Sequence, residues 1–120
     1  MTNEEKLEKL KEFLKENGLV FYEEFRLGKK IGVTADLYIP RHRIVVKIAR
    51  KTEEDDKFFH ATKRYWRPFF IREEESVDFV IEKMYNLIIK IMKIKQKLYD
   101  KMIERKKREE IEQKQKQEKK

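Results

Sequence analysis

In a chain of 120 residues of which 45% are charged, one short run differs from everything around it. Ile44-Val45-Val46 and Ile48 form a nearly continuous apolar stretch within Arg43–Ala49, interrupted only by Lys47. A β-branched run of this length, preceded by the turn Pro40-Arg41-His42, reads as a buried strand at the centre of a sheet. The elements around it follow from local signals. Thr2 with Glu5 makes a capping box, and Leu7, Leu10, Phe13 and Leu14 recur at helical spacing until Asn17-Gly18 ends the helix. Leu19–Leu27, rich in Val, Phe and Tyr, reads as a first strand, and Val33–Ile39 as a second. Thr52, followed by Glu53, Glu54 and Asp55, predicts a helix with carboxylates at the positive end of its dipole. That helix should bury Phe58, Phe59, Thr62 and Tyr65 or Trp66 before Arg67-Pro68 stops it. Phe69-Phe70-Ile71 has room only for a strand, and Ser76 caps a last helix. The expected fold class is therefore α+β, in the order helix, three strands, helix, strand, helix.

The last helix carries an apolar stripe. Val80, Met84, Leu87, Ile91, Ile94 and Leu98 alternate at spacings of four and three, and Ile81, Ile88 and Met102 widen the row. Such a stripe needs a partner surface, so these six positions are candidate helix-interface residues. At ~1.5 Å per residue a helix from Ser76 to Ile111 is about 50 Å long, more than a small domain is wide. Residues 1–89 are thus expected to form the core. Residues 90–120 should project as an extended basic helical tail, coiled-coil-like to about residue 103. Beyond Ile103 the sequence ERKKREEIEQKQKQEKK has one apolar residue and reads as solvated helix, polyanion-binding tail or disorder.

Composition narrows the chemistry. The charged fraction is nearly twice the ~25% of an ordinary domain, so part of the chain must be solvated. There is no cysteine, which excludes disulfides, thiolate nucleophiles and Cys-ligated metal and fits a reducing compartment. A single serine, Ser76, three glycines and two histidines leave little for a Ser-His-Asp site, a Gly-rich phosphate loop or a multi-His cage. His42 and His60 read as structural or surface residues. Phe58, Phe59, Tyr65, Trp66, Phe69 and Phe70 are spaced for core packing, with Tyr65 or Trp66 the exposed exception. The acidic, amphipathic start is unlike a signal peptide, and the longest apolar stretch, Leu87–Ile94, is broken by Lys90 and Lys93. The expectation is a soluble cytoplasmic protein without a membrane partner.

The net charge of +8 is concentrated in two places. Residues 26–51 hold Arg26, Lys29, Lys30, Arg41, Arg43, Lys47, Arg50 and Lys51 against Asp36 alone, and residues 90–120 hold a second excess. Charge of this kind attracts nucleic acid through counterion release. In a sheet region alternate residues share a face, so the first cluster is a candidate phosphate-binding surface.

The succession FYEEFRLGKKIGVTADLYIPRHRIVVKIA, then KFFHATKRYW, then RPFFIREEESVDFVIEKM resembles the very-short-patch-repair-endonuclease-like branch of the PD-(D/E)xK nuclease superfamily. The shared pattern is an Ala-Asp-(aromatic or aliphatic)-x-x-Pro segment, a hydrophobic strand ending in a carboxylate, a helix, and a short strand ending in Arg before the last helix. It spans about residues 5–89. The resemblance implies a small restriction-endonuclease-like αβββαβ core, with the long C-terminal helix added to it. It also implies two carboxylates at adjacent strand ends that hold Mg²⁺, and a lysine two residues after the second that orients the nucleophile. Asp36 matches the first carboxylate. The register fixed by Pro40 and Ile44-Val45-Val46 places Lys47 at the second carboxylate and Ala49 at the basic position; sliding it makes Lys47 the motif's lysine and leaves Val45 at the carboxylate. Neither restores the pair. A lysine facing Asp36 would take the cation's place, form an ion pair and repel Mg²⁺. Arg72, at the end of the short strand, matches a basic residue common in the family.

Three functions follow. The first is a nucleic-acid-binding protein, for DNA or RNA, built on a nuclease fold with a degenerate catalytic motif and no cofactor. Its phosphate contacts would come from Arg26, Lys29, Lys30, Arg41, Arg43, Lys47, Arg50, Lys51 and Arg72. The second is an assembly protein that docks on a protein partner or on itself through the C-terminal helix. The third is an active Mg²⁺-dependent endonuclease that recruits a carboxylate from Glu8, Glu12, Glu24 or the Glu53–Asp56 cluster. Without the resemblance, Asp36 reads as a strand-end residue bonded to nearby backbone or paired with Lys47.

Overall fold

The structure, a computed structural model, describes residues 1–28 and 32–118. It is α+β, with helix α1 (Asn3–Glu16), strands β1 (Tyr22–Leu27), β2 (Val33–Ile39) and β3 (Ile44–Ile48), helix α2 (Glu53–Thr62), strand β4 (Arg67–Ile71) and helix α3 (Val77–Glu118). This is the αβββαβ order followed by a long helix that the sequence predicts. The four strands form one mixed sheet in the order β1-β2-β3-β4. β1, β2 and β3 run antiparallel in turn, and β4 lies parallel to β3, because α2 provides the crossover that a parallel pair requires.

All five residues of β3 are buried. Val45 lies opposite Tyr38 and packs in one cluster with Ala35 of β2 and Phe58 of α2. Ile44, Val46 and Ile48 fall on the alternate face and are also buried. α1 meets β3 and β4 with Leu10 and Leu14 withdrawn from water. Burying a Val, Ile or Leu side chain stabilises the fold by about 1.5–3 kcal/mol each, so this strand organises the core.

Several boundaries differ from the sequence expectation. β1 begins at Tyr22 rather than Leu19, because Leu19 N–H donates to the Leu14 carbonyl at 2.9 Å and Gly18 takes φ +68°. Those residues close α1 instead of pairing with β2. β4 begins at Arg67 and includes Pro68. The Arg67 N–H bonds to the Arg43 carbonyl, so the residue lacking a donor faces away from β3, at an edge where proline is tolerated. Thr52 precedes α2 but makes no side-chain cap. Asp55 instead accepts from Arg50 N–H at 3.0 Å and Lys51 N–H at 2.8 Å. Phe59 is exposed, whereas Phe58 and Thr62 are buried as expected.

The chain divides into two compact units, Met1–Tyr85 and Asn86–Lys120. In the first, α3 starts at the Ser76 cap, whose Oγ accepts from Phe79 N–H at 3.1 Å, and Val80 and Met84 are fully buried. Those two interface candidates therefore belong to the core. In the second, Ile88 and Ile91 are buried, Leu87 is half-buried, and Ile94, Leu98 and Met102 are exposed. No helix among the described residues is long and apolar enough to cross a membrane.

Candidate functional site

The antiparallel registers set out the site. Between the pairs Glu23–Leu37 and Phe25–Ala35, Glu24 falls opposite Asp36, and beyond Leu37–Val46, Asp36 falls opposite Lys47. Glu24, Asp36 and Lys47 thus occupy one row across three strands. A cleft of about 420 Å³ opens over this row, and its walls include Thr34, Arg50, Glu54 and Lys57. Glu54 and Lys57 are three residues apart on α2 and so share a helix face.

Asp36 Oδ2 accepts a 2.8 Å hydrogen bond from Ile48 N–H. The carboxylate takes over a backbone donor near the end of β3 and is half-buried in doing so. Lys47 is only 9% exposed, and its ammonium stands 5.4 Å from the centre of the Phe58 ring. The expected ion pair is not formed: among the described residues Lys47 makes no salt bridge within 4 Å, to Asp36 or to any other carboxylate. The ring gives Lys47 a cation–π contact, but among the described residues no hydrogen bond joins it to a partner.

The cleft holds three carboxylates, Glu24, Asp36 and Glu54, against three cations, Lys47, Arg50 and Lys57. Two proposed substitute carboxylates, Glu24 and Glu54, therefore do reach Asp36's cleft. Yet no group of three His, Cys, Asp or Glu side chains that could hold a metal ion exists among the described residues. Glu8 and Glu12 bond Lys11 and Lys9 on the surface of α1 and do not line the cleft.

The basic residues do not form one surface. Arg50 and Lys51 follow β3, and Arg72 follows the parallel β4, so all three share the cleft end of the sheet. Lys51 and Arg72 line a second hollow there with Phe59 and Phe70. Arg26 lies opposite Thr34, a wall of the cleft. Arg41 and Arg43 sit at the start of β3, some 17 Å away at ~3.4 Å per residue. Arg43 is committed there, with its Nε donating to the Tyr65 carbonyl at 2.7 Å and its guanidinium 5.7 Å from the centre of the Trp66 ring. Lys29 and Lys30 lie outside the described residues.

Two lysines were not singled out from the sequence. Lys57 could have been found from its i, i+3 relation to Glu54. Lys6 is 3% exposed and donates to Asn3 Oδ1 at 3.2 Å and to the carbonyls of Arg72 and Glu73 at 3.0 Å each. It ties α1 to the end of β4, and its position one turn before Leu10 was the available signal. No protein-family model, curated protein or solved structure matches the chain.

Proposed function

We propose that the protein binds nucleic acid through the cleft over Asp36 and Lys47 and does not cleave it. The observation that carries this reading is Lys47: a side chain only 9% exposed lines the cleft and, among the described residues, makes no hydrogen bond or ion pair. The stem is packed away while the ammonium meets the water of the cleft, so no carboxylate has to be displaced before it makes a charge-assisted hydrogen bond to a phosphate oxygen. Arg50 and Lys57 flank it, and Arg26, Lys51 and Arg72 at the same end of the sheet extend the contact to neighbouring phosphates.

The same arrangement argues against Mg²⁺ chemistry. Asp36 is engaged by Ile48 N–H, and Lys47 presents a fixed positive charge in the cavity a divalent cation would need. The family reading is thus of a PD-(D/E)xK-like fold kept for binding. The cysteine-free sequence fits action in the reducing cytoplasm.

Fluorescence anisotropy with labelled DNA and RNA oligonucleotides tests this, comparing the protein with an R50A/K57A double variant. Loss of two phosphate contacts should reduce the slope of log affinity against log salt by about 1.8. An unchanged slope would remove the cleft from the binding surface.

A further inference from the structure

A separate surface lies in the second unit. Along α3, Ile94, Leu98 and Met102 are 44%, 58% and 59% exposed. At about 100° per residue they fall within an arc of about 80°. Lys90, Lys93, Lys97 and Lys101 fall within a second arc of about 80° that adjoins the first. All four lysines are exposed, and none makes a hydrogen bond or ion pair among the described residues. A narrow apolar row is thus edged along one side by unneutralised positive charge.

We infer that this face docks an amphipathic helix of a protein partner whose apolar seam is flanked by glutamate or aspartate. The width of the row favours a helix: Lys95 lies between it and the exposed Tyr99 and Met92, so a seam of about 80° accepts knobs from one facing helix, whereas a membrane-surface helix presents a broad apolar face. The lysine row selects the partner's charge. A second copy of this chain is a poor occupant, because an antiparallel pair sets Lys90 against the copy's Lys97 and a parallel pair sets it against the copy's Lys95. Like charges along a seam act against pairing, and opposite charges select the partner. Nucleic acid would use the lysines but leave Ile94, Leu98 and Met102 uncovered.

The test uses the full chain and a designed 28-residue peptide with leucine at the seam positions and glutamate on both flanks. Its own repulsion keeps that peptide unfolded alone. A control peptide carries lysine on the flanks. Mixing with the glutamate peptide should raise helicity by circular dichroism and show saturable anisotropy, while the lysine peptide gives neither. Leu98→Lys and a K90E/K97E double variant should each weaken the glutamate peptide by about tenfold or more, and Leu98→Lys should leave oligonucleotide binding unchanged. Sedimentation should show the chain alone as a monomer. Failure of the glutamate peptide to bind, or equal binding of both peptides, would overturn the inference. So would a self-dimer abolished by Leu98→Lys, or anionic phosphatidylserine vesicles bound through Leu98 in preference to the peptide.

Discussion

Two lysines keep little exposed surface, Lys6 at 3% and Lys47 at 9%, and their contacts point to opposite roles. Lys6 has three hydrogen-bond partners, two of them carbonyls at the end of β4. Replacing it with methionine leaves those acceptors unsatisfied, so Lys6→Met should lower stability by about 1–3 kcal/mol in urea denaturation. Among the described residues Lys47 has no such partners, and its ammonium stands 5.4 Å from the centre of the Phe58 ring. Lys47→Met should leave stability unchanged or raise it, while weakening nucleic acid and reducing the salt slope by about 0.9. A loss of more than about 1 kcal/mol at Lys47, with binding intact, would make that residue structural. The sequence pointed to Asp36 and Lys47 through their place in a motif. Read without the motif, Asp36 is expected either to bond nearby backbone or to pair with Lys47. The structure shows the backbone bond from Ile48 N–H, and the sequence could not choose between the two because that depends on where the β2–β3 ladder stops.

Local chemistry set most elements and long-range pairing set their ends. The Thr2 cap forms as the capping box predicts, with Thr2 Oγ1 accepting from Glu5 N–H. β2 matches its expected span, since alternation and the following Pro40 bound it on both sides. Thr52 stands at the N-cap of α2 with the acidic first turn behind it, as expected, but its hydroxyl makes no cap bond, and the Asp55 carboxylate holds two backbone donors ahead of the helix instead. α1 is tied to β1 by Lys11 and Glu23. For Lys11, desolvation opposes the charge, but hydrogen bonds to Glu23 and Glu8 outweigh it and raise its pKa. The Lys11 hydrogen bond and charge lower the pKa of Glu23. The contribution of Glu23 is therefore full above the ordinary glutamate range and lost as pH falls through its lowered folded value. A stability profile from neutral to acid pH should show a shallower acid-side decline in Glu23→Gln than in the parent. Superimposable slopes would show that the contact contributes nothing.

At the scale of the whole molecule, the run of basic residues from 26 to 51 looks like one surface in the sequence, and the fold separates it. Arg41 and Arg43 precede β3 while Arg50 and Lys51 follow it, so a five-residue strand stands between them. Composition revealed how much positive charge there is, and only the strand order revealed which part gathers around Asp36. The net charge of +8 favours polyanion binding at long range, and we propose more narrowly that the cleft receives phosphate without cleaving it. The most direct measurement is a gel of supercoiled plasmid incubated with the protein in Mg²⁺ or EDTA at 50 and 200 mM salt. With six phosphate contacts, affinity should fall roughly a thousandfold between the two salt concentrations, with the plasmid shifted equally in both metal conditions and still supercoiled. Mg²⁺-dependent nicking that Asp36→Ala abolishes would contradict the account, as would plasmid that never shifts.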